Sequence, residues 1–127
     1  MNANNRVLSV VAWVMAILLC IAFLGAGAAK LTAQPMMTME FAAFGYPQWF
    51  MYVTGFIEIV SAILVVVPRT SRIGAGLLTC VMVGAIFSHL THGQAGMIGA
   101  PVVLLALAAV QFQLRGGFAA PLPSRAA

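Results

Sequence analysis

Charged side chains are scarce in this sequence of 127 residues, and their scarcity excludes a water-soluble domain. Only 6% of the residues are charged, two of them acidic and six basic, whereas an ordinary soluble domain contains about 25%. Because 63% of the residues are hydrophobic, we expect an integral membrane protein in the lipid bilayer. A single membrane domain over residues 1–127 is expected, since a few spans of about 20 residues use up the length.

Cysteine and histidine are also too few for several kinds of metal or redox centre. Cys20 and Cys80 stand in different apolar segments and form no CxxC pair, so we interpret them as buried, unreactive thiols. His89 and His92 cannot ligate both faces of one haem, and there is no third histidine. We therefore expect no metal site. The basic residues are scattered singly, which argues against a nucleic-acid partner.

Four apolar segments predict an all-α integral membrane protein, a four-helix bundle. The spans cover about residues 7–29, 49–67, 73–90 and 97–114. The first apolar run is too long for a typical secretory signal peptide, so we interpret it as a retained helix. Residues 116–127 are expected to form a flexible tail. In the fourth span, a stripe of mostly small residues is expected to face neighbouring helices: Val102, Ala106, Ala109 and Gln113.

The connection between the first two spans predicts a short interfacial helix. Pro35 suits a helix start, and three apolar residues then share one face, with Glu40 to the side: Met37, Phe41 and Phe44. One interpretation is a lid over the bundle. The aromatic residues that follow are also typical of a belt that anchors a protein at the membrane boundary: Tyr46, Trp49, Phe50 and Tyr52.

The distribution of basic residues predicts the orientation of the chain. With four spans, both termini and the turn between spans two and three lie on one side of the membrane. That side holds every basic residue except Lys30: Arg6, Arg69, Arg72, Arg115 and Arg125. Because positively charged segments stay in the cytoplasm, we expect a bacterial-type inner (plasma) membrane protein with both termini cytoplasmic.

Glu58 is the main candidate for a functional residue, because it lies near the middle of the second span. A charge at membrane depth costs about 2.5 to 3.5 kcal/mol on insertion scales, so Glu58 is expected to face the bundle interior. Thr54 and Ser61 share its helical face. Three roles stay open: a hydrogen-bonded structural group, a proton-handling group, and an anchor for the polar end of a small ligand.

Lys30 and His89 are the other ionisable residues that could share a pocket with Glu58. At about 1.5 Å of rise per residue, Glu58 lies about 10 Å deeper than His89. We therefore expect no direct bond from Glu58 to His89 or Lys30, and Lys30 needs no partner because it can reach the outer interface. The prediction is a funnel with Glu58 at its floor and Thr54 and Ser61 on its wall. Near its outward mouth we expect three basic residues: Lys30, His89 and His92.

Four short segments of the chain resemble the DoxX-like family of small four-helix membrane proteins. They are residues 23–31, 44–47, 54–59 and 85–90. The resemblance implies a four-helix membrane bundle, and it carries over Lys30, Glu58 and His89 as the characteristic polar positions of the family. The family takes its name from a subunit of a thiosulfate:quinone oxidoreductase, and other members look like partners of redox enzymes.

Together these observations predict an inner-membrane protein that supports redox metabolism. It is expected to bind a quinone or similar lipophilic small molecule in an outward-opening pocket floored by Glu58. One alternative is a membrane enzyme that uses Glu58 and His89 for acid–base catalysis on a lipophilic substrate. Another is an accessory or assembly subunit of another membrane protein, and a membrane redox enzyme is the partner considered. Self-association into a homo-oligomer is also open, since four short spans bury little surface.

Overall fold

The chain folds into helices joined by short connections. In the computed structural model, which describes residues 3–115, α1 covers Ala3–Leu31, α2 covers Pro35–Ala43 and α3 covers Gln48–Val66. A turn leads into α4, Ser71–Thr91, and a short 3-10 helix, Ala95–Met97, precedes α5, Gly99–Leu114. The predicted all-α class, with a short helix between the first two long ones, is confirmed. The predicted flexible tail, residues 116–127, lies outside the described residues.

Three of these helices are long and apolar enough to cross a membrane, namely α1, α3 and α4. The fourth predicted span corresponds to α5, which is apolar but has only 16 residues. At about 1.5 Å per residue it is about 24 Å long, somewhat less than the hydrocarbon thickness of about 30 Å. The helix α5 packs against α4 and α1 and completes the bundle. A fourth membrane crossing stays a prediction.

Two glycines allow α1 and α3 to approach closely. A Cβ atom added at Gly27 would lie 2.8 Å from the carbonyl oxygen of Gly55, and one added at Gly55 would lie 2.8 Å from Cβ of Lys30. Neither helix has room for a larger residue there. Small residues serve this purpose in membrane bundles, where close backbone packing stabilises helix pairs. The crossing also brings Lys30 of α1 against the face of α3 that carries Glu58.

A second close contact holds α3 against α4 near the turn that joins them. A Cβ added at Gly74 would lie 2.6 Å from the amide nitrogen of Val65 and 2.8 Å from the carbonyl oxygen of Ser61. Nearby, the hydroxyl of Ser71 donates to the carbonyl of Val65 at 2.7 Å. The amide Nε2 of Gln111, on α5, donates to Ser71 Oγ at 3.1 Å. Three helices are thus joined by buried hydrogen bonds.

The face that α5 turns toward the bundle differs from the predicted one. The stripe of mostly small residues is exposed: Val102, Ala106, Ala109 and Gln113. Ala108 and Gln111 are the fully buried residues of α5. A buried amide needs a hydrogen-bond partner in apolar surroundings, and Gln111 finds one in Ser71. The face of α5 that turns inward is thus the one that carries this hydrogen bond.

We predict that Gly74→Ala destabilises the protein by about 1 to 3 kcal/mol, as overpacking does elsewhere. The added methyl group would meet backbone atoms of α3, which cannot move without separating the two helices. Gly25→Ala is the matched control, because a Cβ there meets nothing within 4 Å. Reversible unfolding in mixed detergent micelles measures both variants. Equal stability of the two variants would contradict the close contact at Gly74.

Candidate functional site

A cavity of about 700 Å³ lies among the helices, on the side of the bundle away from the α3–α4 turn. Its volume is within the range of about 300 to 1,000 Å³ that is usual for small-molecule sites. Most of its wall is apolar, and four of the lining residues within 3–115 are acidic or basic: Lys30, Glu40, Glu58 and His89. Val53, Leu77 and Phe87 line the cavity and are also exposed. The cavity is therefore open at the bundle surface.

Lys30 and Glu58 form a direct ion pair at the cavity wall. Lys30 Nζ lies 3.0 Å from Glu58 Oε2, and the side chains are only 12% and 2% exposed. The expectation that Glu58 has no direct bond to Lys30 is wrong. Lys30 lies closer to Glu58 than helix rise predicts, because a Cβ added at Gly55, one turn before Glu58, would lie 2.8 Å from Cβ of Lys30. The Gly27–Gly55 crossing brings the two helices close enough for this contact.

His89 is paired with a different carboxylate. Its Nε2 lies 3.1 Å from Glu40 Oε1, and its Nδ1 lies 2.9 Å from Gln94 Oε1. Both ring nitrogens therefore have partners. Glu58 and His89 line the same cavity, but each is bonded to another residue and not to the other. Acid–base catalysis by these two residues on a bound substrate stays a prediction. Sequence reasoning did not include Glu40 in the site.

The helix α2 covers part of the cavity with one of its faces. That face consists of residues at helical spacing: Met37, Glu40 and Phe41, followed by Phe44 just beyond the helix end. Met36, by contrast, is 74% exposed. The spacing of three residues from Met37 to Glu40 is the signal that would have added Glu40 to the predicted site. Whether α2 acts as a lid stays a prediction.

Side-chain contacts attach the α2 region to α4. The ring of Phe44 packs edge-on against His89, with ring centroids 5.1 Å apart. The hydroxyls of Tyr46 and Ser88 are hydrogen bonded at 2.7 Å. On either side of α2 the backbone turns through left-handed conformations, at Ala33 (φ 52°) and Gly45 (φ 76°). The short helix is therefore a separate segment between two sharp turns, joined to α4 by these contacts and by the Glu40–His89 pair.

The remaining predicted site residues occupy different positions. Thr54 lines the cavity, but its hydroxyl donates to the carbonyl of Phe50 in its own helix at 2.8 Å. Ser61 is fully buried and lies outside the cavity lining. His92, beyond α4, is exposed, and its Nδ1 lies 2.8 Å from the carbonyl oxygen of Ser88. The predicted burial of Cys80 is wrong, since this thiol is exposed and lines the cavity.

The helices and the cavity define a class of protein: a small multi-pass membrane protein with a mostly apolar cavity that contains paired charges. The chain belongs to the DoxX-like family, whose sequence model matches residues 14–111. It is 32% identical over 97 residues to YdgD of Bacillus subtilis (strain 168), a protein described as uncharacterized; the match covers 73% of this chain and 85% of that protein. No solved structure matches the chain.

We predict that Lys30→Met and Glu58→Gln each lower the free energy of unfolding by about 3 kcal/mol, because each leaves a charged or acidic group without its partner. The double variant Lys30→Met/Glu58→Gln should lose much less than the sum. Unfolding in mixed micelles gives the coupling energy of the cycle. Strictly additive losses would mean that the two side chains do not interact.

A second prediction concerns the contact between α2 and α4. Glu40→Gln removes the charge that pairs with His89, so amide hydrogen exchange in α2 should accelerate by about tenfold, equivalent to about 1.5 kcal/mol for a hydrogen bond to a charged group. Met36→Gln introduces the same side chain on the exposed face and should leave the exchange rates unchanged. Exchange in Glu40→Gln at the wild-type rate would show that the pair does not hold α2.

Proposed function

We propose that this protein binds a quinone or a similar lipophilic small molecule in the cavity. The observation that carries the proposal is one cavity of ligand size that combines apolar walls with the Lys30–Glu58 ion pair and the close Glu40–His89 contact. A lipophilic molecule would lay its apolar part against the helices and its polar end against these pairs. Some residues that line the cavity are exposed at the bundle surface, which supports entry of the molecule from the surrounding lipid.

Lys30 is the residue best suited to hold the polar end. An ammonium group has three N–H donors, and within residues 3–115 Lys30 donates to Glu58 alone. Two donors remain for the carbonyl oxygens of a ligand. Glu58 keeps the ammonium in position and, as a carboxyl group at the cavity wall, has the chemistry to accept or release a proton. In the case of a quinone, we propose that electrons come from a membrane redox enzyme that is a partner of this chain.

We also propose a membrane arrangement for the site. Arg72 stacks over the ring of Phe112, at 4.8 Å from its centroid, and Arg115 stacks over Trp13, at 5.4 Å. These arginines lie at the end of the bundle away from Lys30. The positive-inside rule then favours a cytoplasmic basic end. With four crossings, both termini are cytoplasmic in the inner membrane, and the cavity is in the opposite half of the bundle.

The proposal is tested by ligand-induced stabilisation of the detergent-purified protein. A decyl-substituted benzoquinone should raise the melting temperature of the wild type, because it binds only the folded state. Glu58→Gln should reduce this rise, since Lys30 loses the group that positions it. Ser61→Ala is the matched control, a buried polar residue of the same helix outside the cavity, and should keep the rise. No stabilisation of the wild type by any quinone tested would refute the proposal.

A further inference from the structure

The cavity wall contains equal numbers of acidic and basic side chains, and these are arranged in pairs. Lys30 Nζ is 3.0 Å from Glu58, and His89 Nε2 is 3.1 Å from Glu40. The arginines of the described chain are absent from the lining. Among residues 3–115, no basic group of the wall is therefore left to neutralise an incoming anion. We infer that the cavity selects molecules whose polar end is uncharged and rejects lipophilic anions.

The physical reason is the low polarity of the surroundings. An anionic group that approached Lys30 would have to share the ammonium with Glu58 or displace it, and either result leaves an uncompensated negative charge near the apolar wall. An uncharged acceptor meets no such obstacle. It takes the two N–H donors of Lys30 that the ion pair leaves unused, and the Lys30–Glu58 contact stays intact. This inference rests on the proposed binding function and specifies the ligand class.

The same reasoning predicts a reversal of preference when one charge is removed. Glu58→Gln leaves the ammonium of Lys30 without a carboxylate, while Glu40 stays paired with His89. An anionic ligand then supplies the missing negative charge and becomes the better partner. In the double variant Lys30→Gln/Glu58→Gln the wall is balanced again, because both charges are gone. That variant should recover the preference for an uncharged ligand.

The experiment uses two probes of nearly the same size that differ in charge: a decyl-substituted naphthoquinone with an uncharged methylsulfonyl group on its ring, and the corresponding sulfonate, which is permanently anionic. Titration calorimetry on protein in zwitterionic lipid nanodiscs, with empty discs subtracted, gives both dissociation constants. The wild type and the double variant should each bind the uncharged probe at least about tenfold more tightly than the sulfonate, given the size of charge interactions near a protein surface. Glu58→Gln should bind the sulfonate more tightly than the wild type does, and in preference to the uncharged probe.

The outcomes separate this inference from the proposed function. A wild type that binds neither probe overturns both. A wild type that binds the uncharged probe but binds the sulfonate equally well overturns the charge selection alone, and this comparison needs no variant to fold. If the wild type prefers the uncharged probe but Glu58→Gln gains no affinity for the sulfonate, selection does not come from the Lys30–Glu58 pair and the inference is wrong.

Discussion

The ion pair between Lys30 and Glu58 is the constraint on which the rest of this small bundle depends. Two opposite charges inside an apolar protein are tolerated when they lie in contact and are hydrogen bonded, and here they are 3.0 Å apart. At the same level of the bundle α1 and α3 touch at Gly27 and Gly55, where neither backbone has room for a side chain. The close helix crossing and the ion pair therefore occur together and join the same two helices.

The two ends of the bundle differ because different residues join the helices there. Near the α3–α4 turn, Gly74 and the hydrogen bonds of Ser71 and Gln111 hold α3, α4 and α5 in close contact. Toward the opposite end α1 and α3 still touch at Gly27 and Gly55. Bulky aromatic residues and the short helix α2 surround free space beside this contact. Tight packing at one end and looser packing at the other give a cavity without any break in a helix.

Hydrophobic patterning predicted the helices and the inward face of α3, because burial in a bilayer depends mainly on the local run of apolar residues. It did not predict which charges pair. The Lys30–Glu58 contact depends on side-chain direction and on the distance between two helices. The spacing of residues along one helix gives no information about either quantity. The prediction of the inward face of α5 was wrong for a similar reason, because the hydrogen-bond partner of Gln111 is Ser71, 40 residues earlier in the chain. Glu40, by contrast, could have been predicted from the sequence, because its spacing from Met37 places both residues on one face of α2.

The cavity beside the Lys30–Glu58 ion pair favours a role for Glu58 in addition to joining two helices. A charge pair that serves only to join helices is best enclosed by protein, so that every remaining donor and acceptor finds a partner there. Lys30 instead lines a cavity of about 700 Å³ while it donates to one carboxylate among the described residues. Joining α1 to α3 needs no such space. On the proposed function, Lys30 serves both purposes, because the contact that holds the helices together would also orient the ammonium group toward a ligand.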